Sequence, residues 1–257
     1  MMKYLGLDIG SLFSKAVVLE DDELLASQII ETTGNVSEEV ESLVDAVLAA
    51  AGITREELGG IGVTGRGAEL VDIGDVKKDD ISCLCEAVCR LMPHVSLVLD
   101  VGGQSVTSIL LDDEGGVVDF MRNDKCASGS GKFLTVMGAA LGYGVEQLDE
   151  VAAQAKSKVP VSSQCGVFVE SELITHVNDG VAPADIMAGI CESVAKIMIS
   201  QALKFGFQDE YTLTGGVAKL ESVIRPASEK IRGDYHAFPH DPQLASAIGA
   251  AICAEEA

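Results

Sequence analysis

Apolar and polar positions alternate in a pattern that occurs twice along the chain. Tyr4-Leu-Gly-Leu-Asp-Ile-Gly-Ser is a mostly apolar run ending in Asp-x-Gly, and Leu97-Val-Leu-Asp-Val-Gly-Gly-Gln repeats it. Each run is followed by two β-rich stretches around an acidic or glycine turn, Lys15 to Ile30 and Ser105 to Phe120. Such turns between β-rich runs predict hairpins. Helical periodicity covers Val36 to Ala51, and Gly60-Ile-Gly-Val-Thr-Gly reads as a buried strand with its exit turn. In the second half, Lys132 to Leu141, Val167 to Asn178 and Pro183 to Phe205 read as helices, and Tyr211-Thr-Leu-Thr-Gly-Gly as a strand ending in a glycine turn. Leu244 to Ala254 is a closing helix of small residues. The pattern predicts an α/β protein with a first lobe over residues 1–94 and a second over 95–242. The final helix, within 243–257, is expected to pack back on the first lobe.

Composition narrows the function. The formal net charge of −22 and the absence of Trp argue against nucleic acid, which needs clustered cations and stacking rings. The N-terminus runs straight into Asp8 rather than through a long apolar segment, and no apolar stretch is expected to span a membrane. A cytoplasmic protein is expected. Seven cysteines in such a chain are buried small hydrophobes or thiol ligands rather than a disulfide framework. Cys83, Cys85 and Cys89 share a helix but not a face, and Cys191 and Cys253 fall in apolar helical patterns.

A strand ending in Asp-x-Gly suits phosphate. The glycine lets backbone N–H groups approach phosphate oxygens, and the aspartate holds Mg through water. A single copy is ordinary turn chemistry; two copies with matching hairpins, plus Thr214-Gly-Gly-Val-Ala, point to a bound nucleotide. A Walker loop fails, because Cys126 and Phe133 stand where Gly and Ser/Thr are required. A dinucleotide fingerprint starting at Gly129 fails at Leu134. Lys15 faces either a phosphate or solvent. Gln104 either orients a water or caps its own turn. Glu170 and Glu172 open a helix, where acids suit the dipole.

Two cysteines stand apart from the other five. Cys126 lies in Asn123-Asp-Lys-Cys-Ala-Ser-Gly-Ser-Gly-Lys-Phe and Cys165 in Ser162-Ser-Gln-Cys-Gly-Val-Phe-Val-Glu-Ser-Glu. Each is a glycine- or serine-rich turn opening a helix, where unpaired N–H groups favour a thiolate. Two thiolates are half the usual ligand set of an iron–sulfur cluster, and a homodimer would complete it.

Together these motifs resemble the acetate kinase, sugar kinase, heat-shock chaperone and actin superfamily. Within it they resemble the activators of 2-hydroxyacyl-CoA dehydratases and the ATPase subunits of benzoyl-CoA reductase, over about residues 3 to 254. The resemblance implies a two-lobed actin-like ATPase fold with duplicated ribonuclease-H-like lobes. It implies catalytic roles for Asp8, Asp100 and Gln104. ATP would be bound by Gly10, Ser11, Ser14, Lys15, Gly102, Gly103, Gly215, Gly216, Val217 and Ala218. It further implies a homodimer holding one [4Fe-4S] cluster on Cys126 and Cys165 of each chain. Ferredoxin or flavodoxin would supply the electron, and an iron–sulfur dehydratase or reductase, including double-cubane reductases, would accept it under anaerobic conditions. The rival within the superfamily is a small-molecule kinase of the amino-sugar type, without a cluster; a non-enzymatic ATP-binding scaffold is a second. The chain departs from the activator pattern at Leu12, at Ala87 in Cys83-Leu-Cys-Glu-Ala, at Cys191 and at Leu220.

Overall fold

The computed structural model describes residues 2–123, 125–161 and 165–257. Two compact units emerge, Met1–Val95 with Leu111–Val118 and Phe238–Ala257, and Ser96–Leu110 with Asp119–Ala237.

The first unit is built on β1 (Lys3–Ile9), β2 (Phe13–Glu20), β3 (Glu23–Glu31), β4 (Leu58–Thr64) and the two-residue β5 (Val76–Lys77). Their order is β3-β2-β1-β4-β5, antiparallel through the hairpins and parallel from β1 to β4 to β5. Asp21 and Asp22 make the β2–β3 turn with positive φ, which short polar side chains tolerate. The helix α1 (Val36–Ala51) covers β2 and β3 with Val40, Leu43, Val44, Val47 and Leu48, and stops at left-handed Gly52. The second helix, α2 (Asp80–Leu91), is capped by Asp79, whose carboxylate accepts from the Ser82 N–H at 3.0 Å.

In the second unit, the sheet repeats that topology with β6 (Leu97–Val101), β7 (Val106–Leu111), β8 (Val117–Asn123), β9 (Glu210–Thr214) and β10 (Asp234–Ala237), in the order β10-β9-β6-β7-β8. Again the first strand pairs antiparallel with its hairpin and parallel with a later strand. The duplication seen in the residues is therefore a duplication of fold. Around this sheet lie α3 (Gly131–Ala140), α4 (Leu148–Ala153), α5 (Gly166–Asn178), α6 (Pro183–Ala202) and α7 (Glu221–Ser228). Four elements were not expected from the periodicity: β5, α4, α7 and β10.

By length and composition alone, the segment Pro183–Phe205 could cross a membrane, contrary to the expectation that no stretch would. Most of it is buried, and Ile186, Met187, Ile190, Val194 and Met198 lie in the core of the second unit. Its apolarity is that of a core helix.

The last helix, α8 (Ala245–Glu255), packs in the first unit on β1, β4 and α2. Its small residues meet glycines. A Cβ on Gly6 would sit 2.6 Å from the Ala251 nitrogen, and one on Gly62 2.6 Å from the Ala250 carbonyl carbon. Backbone therefore lies directly on backbone, an approach that any side chain at Gly6 or Gly62 would block.

Candidate functional site

In the first unit the site residues gather where β1 ends. Asp8 is 8% exposed and sits opposite Lys15 in the β1–β2 register. The Lys15 ammonium donates to the Asp8 carboxylate at 2.7 Å, so Lys15 faces the strand end and not solvent. Gly10 closes the turn by donating its N–H to the Phe13 carbonyl at 3.1 Å. A Cβ at Gly10 would lie 2.5 Å from the Phe13 oxygen and 3.0 Å from Lys15 Nζ, so the loop needs glycine there. Ser11 is exposed at the tip. Ser14 is buried, and its hydroxyl is 2.9 Å from that of Thr32, which donates to the Gly10 carbonyl at 3.0 Å. Ser14 thus braces the loop from behind. Leu12 accepts at its carbonyl from the Thr32 N–H, 2.9 Å away.

The second unit builds the same turn. Gly102 donates to the Ser105 carbonyl at 2.9 Å, the counterpart of Gly10 to Phe13, and Gln104 is exposed on that turn. Asp100 accepts from the Thr214 hydroxyl at 3.0 Å, which brings the second Asp-x-Gly and the Thr214 turn together. Gly215 has φ +84°, and a Cβ there would lie 2.6 Å from the Val101 carbonyl carbon and 3.0 Å from Asp100 Oδ1. Gly216 begins a tight helical turn in which Ala218 donates to the Gly215 carbonyl at 3.1 Å. Val217 and Ala218 are buried in the core of the unit, so their side chains pack and only their backbone is available to a ligand. Two glycine cradles, each beside a buried or hydrogen-bonded aspartate, have the chemistry of phosphate and Mg sites.

Both singled-out cysteines are in the second unit and half-buried. Cys165 is the residue immediately before α5, and its carbonyl accepts from the Val169 N–H at 3.0 Å. Cys126 lies four residues ahead of Ser130, the residue that precedes α3. Its sulfur is 3.3 Å from the Ser128 hydroxyl, and hydrogen bonds from the Ser128 side chain and backbone hold the thiol below its ordinary pKa. Asp124, Ser162, Ser163 and Gln164, which belong to the two cysteine motifs, lie outside the described residues. Two half-buried thiols in the turns that lead into α3 and α5, one of them biased toward thiolate, fit an anionic metal cluster. The remaining cysteines differ. Cys191 is buried and pushed up to about 12 by burial, and Cys85 likewise to about 12. Both are inert packing thiols.

One relationship had no sequence signature. The α3 N–H groups of Gly131 and Lys132 donate to the carbonyls of Gly102 and Gly103 at 2.9 and 2.8 Å. Phe133 of the same helix is buried, and its ring is the group nearest to where a Gly166 side chain would stand, beside Cys165. Gly129, with φ +85°, leaves room for Ile197 of α6 in the Cys126 turn. The second Asp-x-Gly loop is thus continuous in space with both cysteine turns.

Next to Cys165, the start of α5 is apolar and open. Val167 and Phe168 are 71% and 70% exposed, and Ile174 and Val177 extend the face. Glu170 is exposed on the same helix.

Known proteins share this architecture. A profile of the BadF/BadG/BcrA/BcrD ATPase family matches residues 5–254. An activator of lactoyl-CoA dehydratase from Anaerotignum propionicum is 35% identical over 257 residues, 100% of this chain and 98% of that one. The structure of the activator of the 2-hydroxyisocaproyl-CoA dehydratase from Clostridium difficile with bound ADPNP superposes with a TM-score of 0.92 at 33% identity, covering 99% of this chain and 95% of that one. A ROK family glucokinase from Streptomyces griseus, with glucose and AMPPNP, superposes at 0.61 with 13% identity over 99% of this chain and 100% of the glucokinase. That last likeness is one of fold alone; together with the activator structure it gives the duplicated α/β units an actin-like fold.

Proposed function

The chain belongs to the BadF/BadG/BcrA/BcrD ATPase family, and on that premise we propose that it is the ATP-driven reductive activator of a 2-hydroxyacyl-CoA dehydratase or a related iron–sulfur reductase. The observation that carries this reading is the tie from Gly102 and Gly103 to α3. The loop next to Asp100 holds the helix that follows Cys126, so a phosphate gripped there acts on the cysteine turn through two backbone hydrogen bonds.

Asp8 and Asp100 would hold Mg-ATP through its waters. Lys15 would turn from Asp8 to a phosphate, and the backbone of Gly10, Ser11, Gly102, Gly103, Gly215 and Gly216 would line the phosphates and adenosine. Ser14 braces the first loop through Thr32. Gln104, exposed on its turn, would orient the attacking water. Cys126 and Cys165 of two copies would hold one [4Fe-4S] cluster, which supplies one-electron chemistry when bound. The exposed Val167 and Phe168 beside Cys165 support a second copy as the occupant of that face. A ferredoxin or flavodoxin would be the donor. One electron moved uphill by several hundred millivolts costs on the order of 10 kcal/mol, which is why the step is joined to ATP.

The test is anaerobic reconstitution with iron and sulfide. A brown protein with one cluster per two chains, lost in Cys126→Ser and in Cys165→Ser but kept in Cys85→Ala, supports the reading. Full iron content in Cys126→Ser, or ATP-dependent phosphorylation of a sugar by a colourless protein, would overturn it.

A further inference from the structure

Away from both glycine loops, the first unit holds a pair of thiols with their own surroundings. Cys83 of α2 and Cys253 of α8 are 0% and 2% exposed and pack together with Ala250. The two thiols lie against each other in this small cluster. The helices touch here, since a Cβ on Gly249 would lie 3.0 Å from the Cys83 Cα, and Cys253 follows one turn later on the same face. Lys78, on the exposed segment before α2, brings its ammonium charge to the Cys253 sulfur. On the other side, Cys83 faces Thr64, whose buried hydroxyl has no partner at ordinary hydrogen-bond distance among the described residues.

Two small hydrophobes would pack equally well without an ammonium. The lysine makes the pair unequal. The neighbouring Cys83 thiol and the Lys78 charge lower the Cys253 thiol from its ordinary value, while Cys253 and burial raise that of Cys83. Cys253 is the sulfur biased toward thiolate and Cys83 the one that keeps its proton, so the pair can act as attacking and resolving thiols.

We propose that Cys83 and Cys253 form a reversible dithiol–disulfide couple, oxidised by hydroperoxides, that ties α2 to α8 behind the strand end bearing Asp8. The Cys253 thiolate attacks the peroxide oxygen, the O–O bond breaks, and hydroxide leaves. Cys253 becomes a sulfenic acid whose oxygen keeps the hydrogen it carried in the peroxide, and Lys78 protonates the departing hydroxide to give the first water. The Cys83 sulfur then attacks the Cys253 sulfur; the S–O bond breaks, and the hydroxide takes the Cys83 proton to leave as water. Lys78 then regains its proton from solvent. Two thiols lose two electrons, and one hydrogen peroxide becomes two waters. The link lies near the nucleotide loop. Thr64 pairs with Asp8 in the β1–β4 register, and Gly65 follows it with φ +95° directly against the Asp8 carboxylate. The couple stands independently of the proposed electron-transfer role.

The experiment treats the full chain and its Cys126→Ser/Cys165→Ser form, which removes the cluster thiols, with stoichiometric hydrogen peroxide, followed by alkylation and peptide mass mapping. A peptide pair joined through Cys83 and Cys253, lost on dithiothreitol treatment, is expected in both. In Cys83→Ser, dimedone is expected to label Cys253. ATP turnover is expected to fall several-fold on oxidation and to return with dithiothreitol. Free, alkylated Cys83 and Cys253 after the peroxide is consumed would overturn the proposal, as would a link from Cys253 to Cys85 or dimedone labelling spread over all the thiols.

Discussion

The Gly131 N–H donates to the Gly102 carbonyl at 2.9 Å, joining the first residue of α3 to a phosphate-type loop of the same unit. Lys132 adds a second bond to Gly103 at 2.8 Å. A loop displaced at its carbonyls must carry the helix start with it or leave two N–H groups unpaired, each at a cost of about 1–3 kcal/mol if buried. Phe133 extends the connection to the Cys165 turn.

Phe133→Leu keeps an apolar side chain but withdraws the ring from Gly166. ATP hydrolysis and iron content are expected to stay within about two-fold of the parent, because the side chain touches neither glycine loop nor cysteine sulfur directly, although the lost ring atoms lower stability by about 1–2 kcal/mol. The difference in iron-chelation rate between the ADP form and a non-hydrolysable ATP analogue form is expected to shrink. Chelator kinetics in the two nucleotide states check it, and an unchanged difference would show that α3 does not transmit the nucleotide state.

Asp8→Asn and Asp100→Asn are expected to weaken Mg-ATP turnover by more than ten-fold, since each removes a charge that would hold the metal's waters. Gln104→Ala should lower kcat more than it raises KM, because orienting a water matters at the transition state and little in the ground state. Steady-state kinetics separate the two. Normal turnover in Asp100→Asn would place the nucleotide elsewhere.

Gly62→Ala puts a methyl into the Ala250 backbone and Gly6→Ala one into Ala251. Backbone cannot move aside as a flexible side chain can, so each is expected to cost about 3 kcal/mol or more, beyond the usual range of overpacking. Gly34→Ala, which meets nothing within 4 Å, is expected to change stability by less than about 1 kcal/mol. Thermal melts of the three variants check the ordering.

Tyr211 is fully buried on β9, its hydroxyl has no hydrogen-bond partner among the described residues, and burial pushes it up to about 12. Tyr211→Phe removes an unsatisfied group and is expected to stabilise by about 1 kcal/mol at neutral pH. The alkaline limb follows from the sign of the shift. A raised folded-state pKa gives stability that is complete below the unfolded value of about 10 and is lost as pH rises toward about 12. The wild type should therefore lose stability faster than Tyr211→Phe over that window, as denaturant titrations at several pH values would show.

The duplicated hairpins were readable because alternation and acidic turns are local. The extent of α1 was readable from its periodic Val and Leu residues, and left-handed Gly52 stops it where that period ends. Short elements were not. The α7 helix has eight residues with Pro226 inside it, β10 is a half-exposed edge strand of four residues, and α4 has six. None is long enough to establish a period. In the candidate site, the strand-end placement of Asp8, Gly10, Asp100 and the Thr214 turn was legible from their motifs. The inward aim of Ser14 was not, because its partner Thr32 sits on the segment after β3. The α3 tie to Gly102 and Gly103 is made by backbone across intervening strands, and backbone bonds leave no trace in residue identity.

The glycines of β1 and β4 face a helix made of residues 245–255. During synthesis the sheet of the first unit emerges early, but the surface that covers it emerges last. Until then Gly6 and Gly62 leave a shallow furrow of bare backbone along the sheet. The second unit, whose strands and helices lie within 96–237, has all its segments earlier. Maturation of this chain should therefore run against the N-to-C direction usual for domains, with the unit begun first completed second.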